Sequence, residues 1–425
     1  MSPIRPTVQV VGRRLDPEHH RLRDFLTRTA QPHDWLEAGS PEAVDLLARL
    51  DLRDPELPVV VEGDDVHIAV TVERLAEAWG QRGKPSRSHY DLAIIGAGPA
   101  GLAAAVYAAS DGLSTIVCDR DVPGGQASHT SLIENFFGFP DGIGGAELAR
   151  MAGRQAEQFG AELLLLGGIS GSRGDGDGDR TTLLLDAGGE LTATVVLAAT
   201  GMDWRRLELE GVDELLGRGV YYGAGRSEAR YCRGDDVVVV GAGNSAGQAV
   251  VNLANAGARV TMAVRGSRLE AKMSAYLVER IRRDARIDVR LGTQVTGLGA
   301  TAGRLTEVTL TNSDGAEEHR PARALFLCLG GQPHTGWCPT EGVRTDAAGY
   351  IVTGTDLLEG GNRPDGWPLT RDPFPLETSR AGLFAAGDVR HGSTKRVAGA
   401  VGEGAMAVAL AYRRLAELGQ LPAGG

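Results

Sequence analysis

The sequence predicts an α/β protein with two three-layer units, each built around parallel strands, and a smaller α/β domain before them. Residues 91–117 contain a buried strand, a glycine turn, a helix and a second strand, and residues 235–264 repeat that order. Strands that alternate with helices in this way are typical of a parallel sheet covered by helices on both faces, the Rossmann-like arrangement. The third observation is a set of short apolar strands and amphipathic helices in residues 1–86.

The smaller domain, residues 1–86, begins with a short β run at residues 8–11. Asp16 followed by Pro17 predicts the start of a helix, because aspartate caps helix N-termini and proline suits the first helical position. Two more strands are expected at residues 58–61 and 66–70. A final helix at residues 71–79 and a polar linker at residues 81–89 follow them. This order predicts one small sheet with helices packed on it.

Composition and charge exclude several classes of protein. The 425 residues carry a net charge of −11, which argues against a nucleic-acid-binding surface. The four cysteines (Cys118, Cys232, Cys328 and Cys338) lie far apart without a C-x-x-C pair, which excludes a disulfide scaffold, a zinc ribbon and a local redox dithiol. No signal segment or membrane-spanning stretch is visible, so a cytoplasmic protein without a metal site is expected.

Glycine is about twice as frequent as its usual share of roughly 7%, and two glycine turns account for part of the excess. The first, GAGPAG at residues 96–101, follows a buried strand and opens an alanine-rich helix. Gly96 allows the tight turn, Gly98 lets backbone approach a pyrophosphate, and Gly101 lets helix and strand pack closely. Asp119 ends the next strand, about 20 residues after the glycine turn. In dinucleotide-binding folds, an acidic residue at this position binds the ribose hydroxyls. The segment therefore predicts a dinucleotide site with phosphate at a helix N-terminus.

The second glycine turn, GAGNSA at residues 241–246, predicts another dinucleotide site. The strand after it, residues 259–264, is followed by Arg265 and Arg268, and no acid takes the ribose position. Basic groups there suit the 2′-phosphate of NADP, although the same arginines also fit a solvated surface cluster. The expected contacts are Gly241, Gly243, Asn244, Ser245, Ala246, Arg265 and Arg268.

Two dinucleotide sites indicate one tightly held cofactor and one exchanging hydride donor, and flavin with nicotinamide is the usual pairing. Residues 90–415 resemble the low-molecular-weight thioredoxin reductase superfamily of flavoproteins. The matching segments are GAGPAGLAAAVYAA at 96–109, GGQASHTSLIENFFGFPDGIGG at 124–145, ATG at 199–201, GAGNSAGQA at 241–249, LETS at 376–379 and GLFAAGDVRHGSTKRV at 382–397.

This resemblance implies a homodimer that binds FAD and NADPH, with an NADPH domain inserted into the FAD domain. The implied bounds are 87–205 for the first part of the FAD domain, 206–324 for the NAD(P)H-binding domain and 325–425 for the second part of the FAD domain. The expected FAD contacts are Gly96, Gly98, Pro99, Ala100, Gly101, Asp119, Gly125, Gln126, Asn135, Gly201, Gly387, Asp388, Lys395, Arg396, Val397 and Ala398.

One departure from the resemblance bears on function. Reductases of the superfamily carry a C-x-x-C in the NADPH domain after a G-V-x-Y segment, and here that segment is residues 219–222. Gly223 and Arg226 occupy the two cysteine positions, and Cys232 has no partner at disulfide spacing. The chain is identified as a member of a branch without the dithiol, for which ordinary thioredoxin reductase activity is not expected.

The N-terminal domain resembles the thioredoxin or glutaredoxin fold, in its strand and helix order and in an expected cis-proline turn at Leu57-Pro58. Alkyl hydroperoxide reductase flavoprotein subunits likewise place such units before a reductase. Residues 1–117 contain no cysteine, so the unit has no thiol chemistry. A docking or dimerisation role is the expectation.

His129, Arg226 and Tyr222 are candidates for chemistry beside the flavin. The resemblance places His129 near the isoalloxazine edge, where a neutral imidazole can act as general acid or base, although a loop histidine without a role also fits. Arg226 puts a cation where the dithiol would face the flavin, and Tyr222 is close in sequence. Lys395 either favours an anionic substrate or reduced flavin, or is simply solvated.

Three functions remain open at this point. The first is an NADPH-dependent FAD oxidoreductase that passes electrons from the flavin directly to a small-molecule substrate, to oxygen or to a redox carrier protein. The second is an FAD-dependent oxidase or dehydrogenase that oxidises an organic metabolite with oxygen. The third is a non-enzymatic redox sensor or docking protein, which the intact motifs at both sites disfavour. None involves nucleic acid or a membrane.

Overall fold

The computed structural model describes residues 6–80, 83–130, 132–174, 179–223, 228–338 and 342–421. Three successive stretches of chain form three main sheets, and the end of the chain returns to the second of them. This is the mixed α/β architecture that the sequence predicts. Within the described ranges, every helix is too short or too polar to span a membrane.

The first unit is a four-stranded sheet with three helices. Its elements are β1 (Val8–Gly12), α1 (Pro17–Arg28), β2 (His33–Glu37), α2 (Pro41–Arg49), β3 (Val59–Glu62), β4 (Asp65–Ile68) and α3 (Val72–Ala78). The strand order is β2-β1-β3-β4, with β1 parallel to β2 and antiparallel to β3. The Asp16 carboxylate accepts hydrogen bonds from the backbone of Glu18 and His19, which confirms the expected helix start. The Leu57-Pro58 peptide is cis, as expected.

The elements β2 and α2 were not expected from the sequence. Strand β2 lies at the edge of its sheet, and its five residues alternate only between exposed and half-buried positions. An edge strand of this kind lacks the apolar alternation by which strands are predicted. Helix α2 does carry a start signal, since the Ser40 hydroxyl accepts from the backbone N–H of Ala43.

The second unit is built on a sheet with the order β7-β6-β5-β10-β9-β8. Its elements are β5 (His89–Ile95), α4 (Pro99–Ser110), β6 (Thr115–Cys118), α5 (Gly145–Gln158), β7 (Glu162–Leu164), β8 (Ile169–Gly174), β9 (Thr181–Leu185), β10 (Glu190–Ala198) and β11 (Met202–Trp204). Strands β5, β6, β7 and β10 run parallel, so their carboxyl ends meet at one edge of the sheet. The glycine turn lies at that edge, between β5 and α4.

The third unit contains a parallel sheet with the order β12-β19-β13-β14-β15 and an antiparallel sheet β16-β17-β18. Its elements are β12 (Val220–Tyr222), β13 (Asp236–Val240), α6 (Asn244–Asn255), β14 (Arg259–Val264), α7 (Ala275–Arg283), β15 (Ile287–Leu291), β16 (Thr293–Thr301), β17 (Arg304–Asn312), β18 (Glu317–Pro321) and β19 (Ala324–Leu327). Strand β19 pairs with β12 and β13, so this unit extends to Leu327. The expected boundary at residue 324 falls on the first residue of that strand.

The last part of the chain completes the second unit. Strand β20 (Gly331–Pro333) pairs with β11, β21 (Leu383–Ala385) pairs with β10, and α8 (Val397–Glu417) packs on α4. At the α4–α8 contact, a Cβ on Gly404 would lie 2.1 Å from the carbonyl oxygen of Ala100. The glycine therefore permits the close approach of the two helices. The third unit is thus inserted between two parts of the second.

Helix α1 connects the first unit to both of the others. The Arg23 side chain, with no exposed surface, forms an ion pair with Glu228 of the third unit at 2.5 Å. Arg28 donates from Nε to the Ser128 hydroxyl at 3.0 Å and from its terminal nitrogen to Asp121 at 2.7 Å, both in the second unit. The first unit is therefore held in place by buried polar contacts on two sides.

Candidate active site

The first glycine turn requires glycine at two positions because of backbone contacts. Gly96 has a φ of +109°, and a Cβ there would lie 2.3 Å from the carbonyl oxygen of Ala199. A Cβ on Gly101 would lie 1.8 Å from the carbonyl oxygen of Gly96. A Cβ on Gly98 would meet no protein atom within 4 Å. Gly96 and Gly101 thus shape the turn, while the open side of Gly98 leaves room for a phosphate, which fits a dinucleotide.

Asp119 binds the backbone of this turn. Its carboxylate accepts hydrogen bonds from the backbone N–H of Ala97 at 2.5 Å and of Asp121 at 2.9 Å. Burial raises the pKa of Asp119, and these two hydrogen bonds oppose that rise. Because each carboxylate oxygen has two lone pairs, both oxygens keep acceptor capacity for a ribose hydroxyl.

A cavity of about 330 Å³ lies at the carboxyl edge of the second sheet, which is where ligands bind in α/β sheets of this kind. Most of the expected FAD contacts line it. They are Gly98, Pro99, Ala100, Asp119, Gly125, Gln126, Gly201, Gly387, Asp388, Lys395, Arg396 and Val397. His129 also lines it, as does Ser245 of the second glycine turn. We call this space the dinucleotide cavity.

Four expected FAD contacts are not among the residues that line the cavity. Gly96 and Gly101 act within the turn, as described. Asn135 is exposed, and Ala398 is exposed in the first turn of α8. The structure brings Arg28, Asp121, Met202 and Trp204 to the cavity instead, and none of these was predicted.

The N-terminus of α8 faces the dinucleotide cavity through Arg396 and Val397. Free backbone N–H groups and the helix dipole favour negative charge at such a position. Lys395, with a φ of +52°, donates from its ammonium group to the backbone oxygen of Asp388 at 3.2 Å. Burial raises the pKa of Asp388, and Lys395 opposes that rise. This end of the cavity therefore suits an acidic or hydroxyl-rich group.

The second glycine turn has a similar construction. Gly241 has a φ of +145°, and a Cβ there would lie 2.4 Å from the carbonyl oxygen of Cys328. The Asn244 side chain accepts a hydrogen bond from the backbone N–H of Ser274 at 2.7 Å, which fixes the turn against the following segment. A Cβ on Gly243 would meet no protein atom, and Ala246 is buried. The turn therefore keeps an open backbone face, as a second dinucleotide would require.

Arg265 and Arg268 follow the end of β14 and are exposed. The nearby carboxylate of Glu270, on which the charge of Arg268 acts, forms its ion pair with Arg282. The guanidinium groups of Arg265 and Arg268 are exposed and can reach an anion near the second glycine turn. Two arginines that contact only water would be exposed in the same way.

His129 lies between the dinucleotide cavity and the third unit. Its ring stands edge-on to Trp204, with 6.0 Å between the ring centroids. A Cβ on Gly223 would lie 3.8 Å from the His129 ring, so the first expected cysteine position faces this imidazole. Burial and the nearby Arg28 guanidinium lower the pKa of His129 to about 4, which keeps the ring neutral near pH 7. A neutral imidazole offers one donor and one acceptor nitrogen.

The other two candidates for chemistry beside the flavin are Tyr222 and Arg226. The Tyr222 hydroxyl accepts a hydrogen bond from the backbone N–H of Leu207 at 3.0 Å, and the residue does not line the dinucleotide cavity. Arg226 lies outside the described residues.

The cysteines are free and largely inaccessible. Cys118, Cys232 and Cys328 are buried and Cys338 is half-buried. Burial raises the pKa of each thiol to about 12, which disfavours the reactive thiolate. Within the described ranges, no group of three or more histidine, cysteine, aspartate or glutamate side chains is arranged to hold a metal ion.

Comparisons with known proteins agree with this geometry. Residues 90–404 match the family model described as pyridine nucleotide-disulphide oxidoreductase. The chain is 33% identical over 330 residues to a thioredoxin reductase of Listeria innocua, which covers 77% of this chain and 95% of that protein. It is 32% identical to a thioredoxin reductase of Bacillus subtilis, with 77% and 96% covered.

Two solved structures have similar folds. Thioredoxin reductase from T. acidophilum superposes with a TM-score of 0.67 at 27% identity, covering 77% of this chain and 99% of that one. Lactococcus lactis thioredoxin reductase in its FR conformation gives a TM-score of 0.68 at 28% identity, with the same coverage. The shared part begins after the first unit, since the family match starts at residue 90.

Proposed function

Because the chain belongs to the pyridine nucleotide-disulphide oxidoreductase family, we propose that it is an NADPH-dependent FAD oxidoreductase without a redox dithiol. It is an oxidoreductase of the thioredoxin reductase superfamily, and its cofactors are FAD and NADPH. In the proposed reaction, electrons leave the flavin directly for a small-molecule substrate, for oxygen or for a redox carrier protein.

One observation carries the proposal: residues of both glycine turns line a single cavity. Gly98 of the first turn and Ser245 of the second belong to the same lining as Asp388 and Val397. Two dinucleotides bound on these turns would meet there, which is what hydride transfer between a nicotinamide and a flavin requires. Bound FAD accepts a hydride and passes its electrons onward.

The absence of a dithiol in the sequence supports the second part of the proposal. Residues 219–222 are followed by Gly223 and not by cysteine, and the chain has no C-x-x-C. The four cysteines present have thiol pKa values raised by burial to about 12. A relay of electrons through thiolates therefore has no suitable groups here.

The proposed roles of the protein groups follow from their positions. Gly98 and the N-terminus of α8 receive the negatively charged parts of FAD, and Asp119 binds its ribose. The neutral imidazole of His129 holds or donates a proton beside the reacting groups. Arg265 and Arg268 bind the 2′-phosphate of NADPH. Tyr222 directly precedes Gly223, the first expected cysteine position, and Arg226 occupies the second expected position in the sequence.

The first unit, residues 1–86, is proposed to be a thioredoxin-like domain without thiol chemistry. Its strand order β2-β1-β3-β4, its mixed parallel and antiparallel pairing and its cis Leu57-Pro58 peptide support this assignment. The domain contains no cysteine. Its buried contacts to both other units support a fixed structural role and not a mobile one.

A cytoplasmic homodimer is the proposed assembly. Tyr107 on α4 and Phe159 after α5 are each about half exposed, and both line an apolar groove of about 430 Å³. Exposed apolar patches of this kind mark protein interfaces. Light scattering during gel filtration tests the assembly.

The experiment that tests the proposed function is anaerobic mixing of the FAD-loaded protein with NADPH. Rapid loss of the visible flavin absorbance band is expected, followed by its return when oxygen or 1,4-benzoquinone is added. Pretreatment with N-ethylmaleimide, which alkylates thiols, should leave both phases unchanged. Absence of bleaching would contradict the proposal, and loss of the second phase after alkylation would contradict the direct transfer.

A further inference from the structure

A second cavity, of about 350 Å³, adjoins the dinucleotide cavity and lies where the three units meet. Helix α1 contributes His20, Asp24 and Arg28, and strand β12 contributes Tyr222. The two cavities share Arg28, Asp121, His129 and Trp204 in their linings. We call this second space the junction cavity. Its volume lies in the range of small-molecule sites.

The charged groups that the structure describes in the lining of the junction cavity have a surplus of negative charge. The Arg28 guanidinium donates to Ser128 at 3.0 Å and to Asp121 at 2.7 Å, and another of its nitrogens lies 3.6 Å from Asp24. Two of the five donors of Arg28 thus bind protein groups, and the third nitrogen faces the Asp24 carboxylate. Two carboxylates share this one guanidinium, so an anionic ligand would meet net negative charge.

Glu228 adds a buried acceptor that the described protein leaves unused. Its side chain is 1% exposed, and its Oε1 interacts with Arg23 at 2.5 Å and with His20 at 3.0 Å. Burial alone would raise its pKa, but His20 and Arg23 override that effect and lower it to about 2, so the group is a carboxylate. Its Oε2 is buried and has no hydrogen-bond partner among the described residues. Because less than 1 Å² of this oxygen is accessible, it lies behind the surface of the cavity, and the donor of a ligand would meet Asp24, whose side chain is 28% exposed.

Trp204 is one of the aromatic side chains of the wall, together with Tyr221 and Tyr222. It is partly exposed, and its plane makes an angle of 77° with the ring of His129. Tryptophan faces attract planar groups and, more strongly, planar cations. The cavity therefore combines a flat apolar surface, surplus negative charge among its described residues and an accessible carboxylate, next to the space for the flavin.

We propose that the junction cavity is the substrate subsite of this oxidoreductase, and that it takes small planar organic molecules that are neutral or cationic and carry an N–H or O–H donor. This inference rests on the proposed function for the redox chemistry, but the binding selectivity does not depend on it. The first unit is then part of the substrate site, since α1 supplies Asp24 and Arg28 to the wall.

The test uses three compounds of the same shape: benzamidine, a cation with donors; benzamide, neutral with donors; and benzoate, an anion. Binding to the oxidised, FAD-loaded protein is measured by calorimetry and by quenching of tryptophan fluorescence. We expect benzamidine to bind roughly tenfold more tightly than benzoate, with benzamide between them, since hydrogen bonds between charged groups are stronger than those between neutral ones. Equal binding of benzoate and benzamidine, or no binding of any of the three, would overturn the proposal.

A pair of variants on one helix locates the site. Asp24→Asn should weaken benzamidine roughly tenfold and reduce the discrimination against benzoate. Glu18→Gln, on an exposed face of the same helix and outside the cavity lining, is the matched control and should change neither. An Asp24→Asn protein that binds benzamidine as the unchanged protein does would contradict the location.

Steady-state turnover shows whether the bound compound occupies the substrate position. With 2-amino-1,4-naphthoquinone, a neutral planar acceptor that carries an N–H donor, each NADPH oxidised supplies a hydride and solvent supplies one proton, so the quinone gains two electrons and two protons. Benzamidine should inhibit competitively against the quinone, and a purely non-competitive pattern would overturn the assignment as substrate subsite. Failure of NADPH to bleach the flavin, with benzamidine still bound selectively, would instead count against the proposed function alone.

Discussion

The imidazole of His129 should make the unchanged protein less stable as the pH falls. Replacing His129 by asparagine should remove this part of the pH dependence. Burial and the Arg28 guanidinium lower the pKa of His129 from 6.5 to about 4 in the folded protein. Between these two pH values the unfolded chain binds a proton that the folded protein does not, so the free energy of unfolding falls as pH falls. A shift from 6.5 to about 4 corresponds to about 3 kcal/mol, since each pKa unit is worth about 1.4 kcal/mol.

This figure is an upper value, because part of the imidazole faces the dinucleotide cavity and keeps some solvation. The assay is urea denaturation of the FAD-loaded protein at several pH values between neutrality and about pH 4, for the unchanged protein and for His129→Asn. The difference in stability between the two proteins should narrow or reverse in favour of the variant as the pH falls. His67→Asn, on strand β4 and outside both cavity linings, removes an imidazole elsewhere and serves as the control. Parallel pH profiles for the unchanged protein and His129→Asn would refute the reasoning.

Three further predictions follow from contacts described above. Gly101→Ala places a Cβ 1.8 Å from a backbone carbonyl oxygen of the turn, so the purified protein should lack the visible flavin band; full FAD content would contradict this. The double variant Arg265→Ala/Arg268→Ala should raise KM for NADPH roughly tenfold or more and leave KM for NADH nearly unchanged, in steady-state assays; an equal effect on both would mean that the arginines are only solvated. Arg23→Met leaves the buried Glu228 carboxylate with His20 as its remaining partner, and should lower the free energy of unfolding by up to about 3–5 kcal/mol in urea titrations; Arg23→Met/Glu228→Leu should recover part of this loss.

The local parts of the site could be predicted from the sequence, because their signals lie within a few residues of each other. The turn at Gly96–Gly101 is specified by strand, glycine spacing and helix, and Asp119 by its distance from them. The structure places these groups together and adds the reason that Gly96 and Gly101 are glycine, which is contact with backbone oxygens.

The remaining parts depend on contacts between distant segments. Arg28 reaches the dinucleotide cavity from a helix about 100 residues before its partner Ser128, and Trp204 is brought there by the pairing of β11 with β20. No periodicity or motif marks either residue, because both act through the packing of one unit on another. Asn135 is the opposite case: the resemblance assigned it to FAD, and the structure places it in an exposed position.

The pairing of β10 with strands from both ends of the second unit has a consequence for synthesis of the chain. Strands β12 to β19 of the inserted unit all lie within residues 220–327. All strands of its two sheets have therefore been synthesised before the ribosome reaches β21. Strand β10 then has β5 on one side and β9 along the first part of the other, while residues 196–198 on that side stay unpaired until residues 383–385 emerge. An unpaired strand edge invites association with other chains. A nascent molecule therefore depends most on chaperones in the period between the synthesis of β10 and that of β21. A chain that ends before Leu383 would keep this unpaired edge permanently.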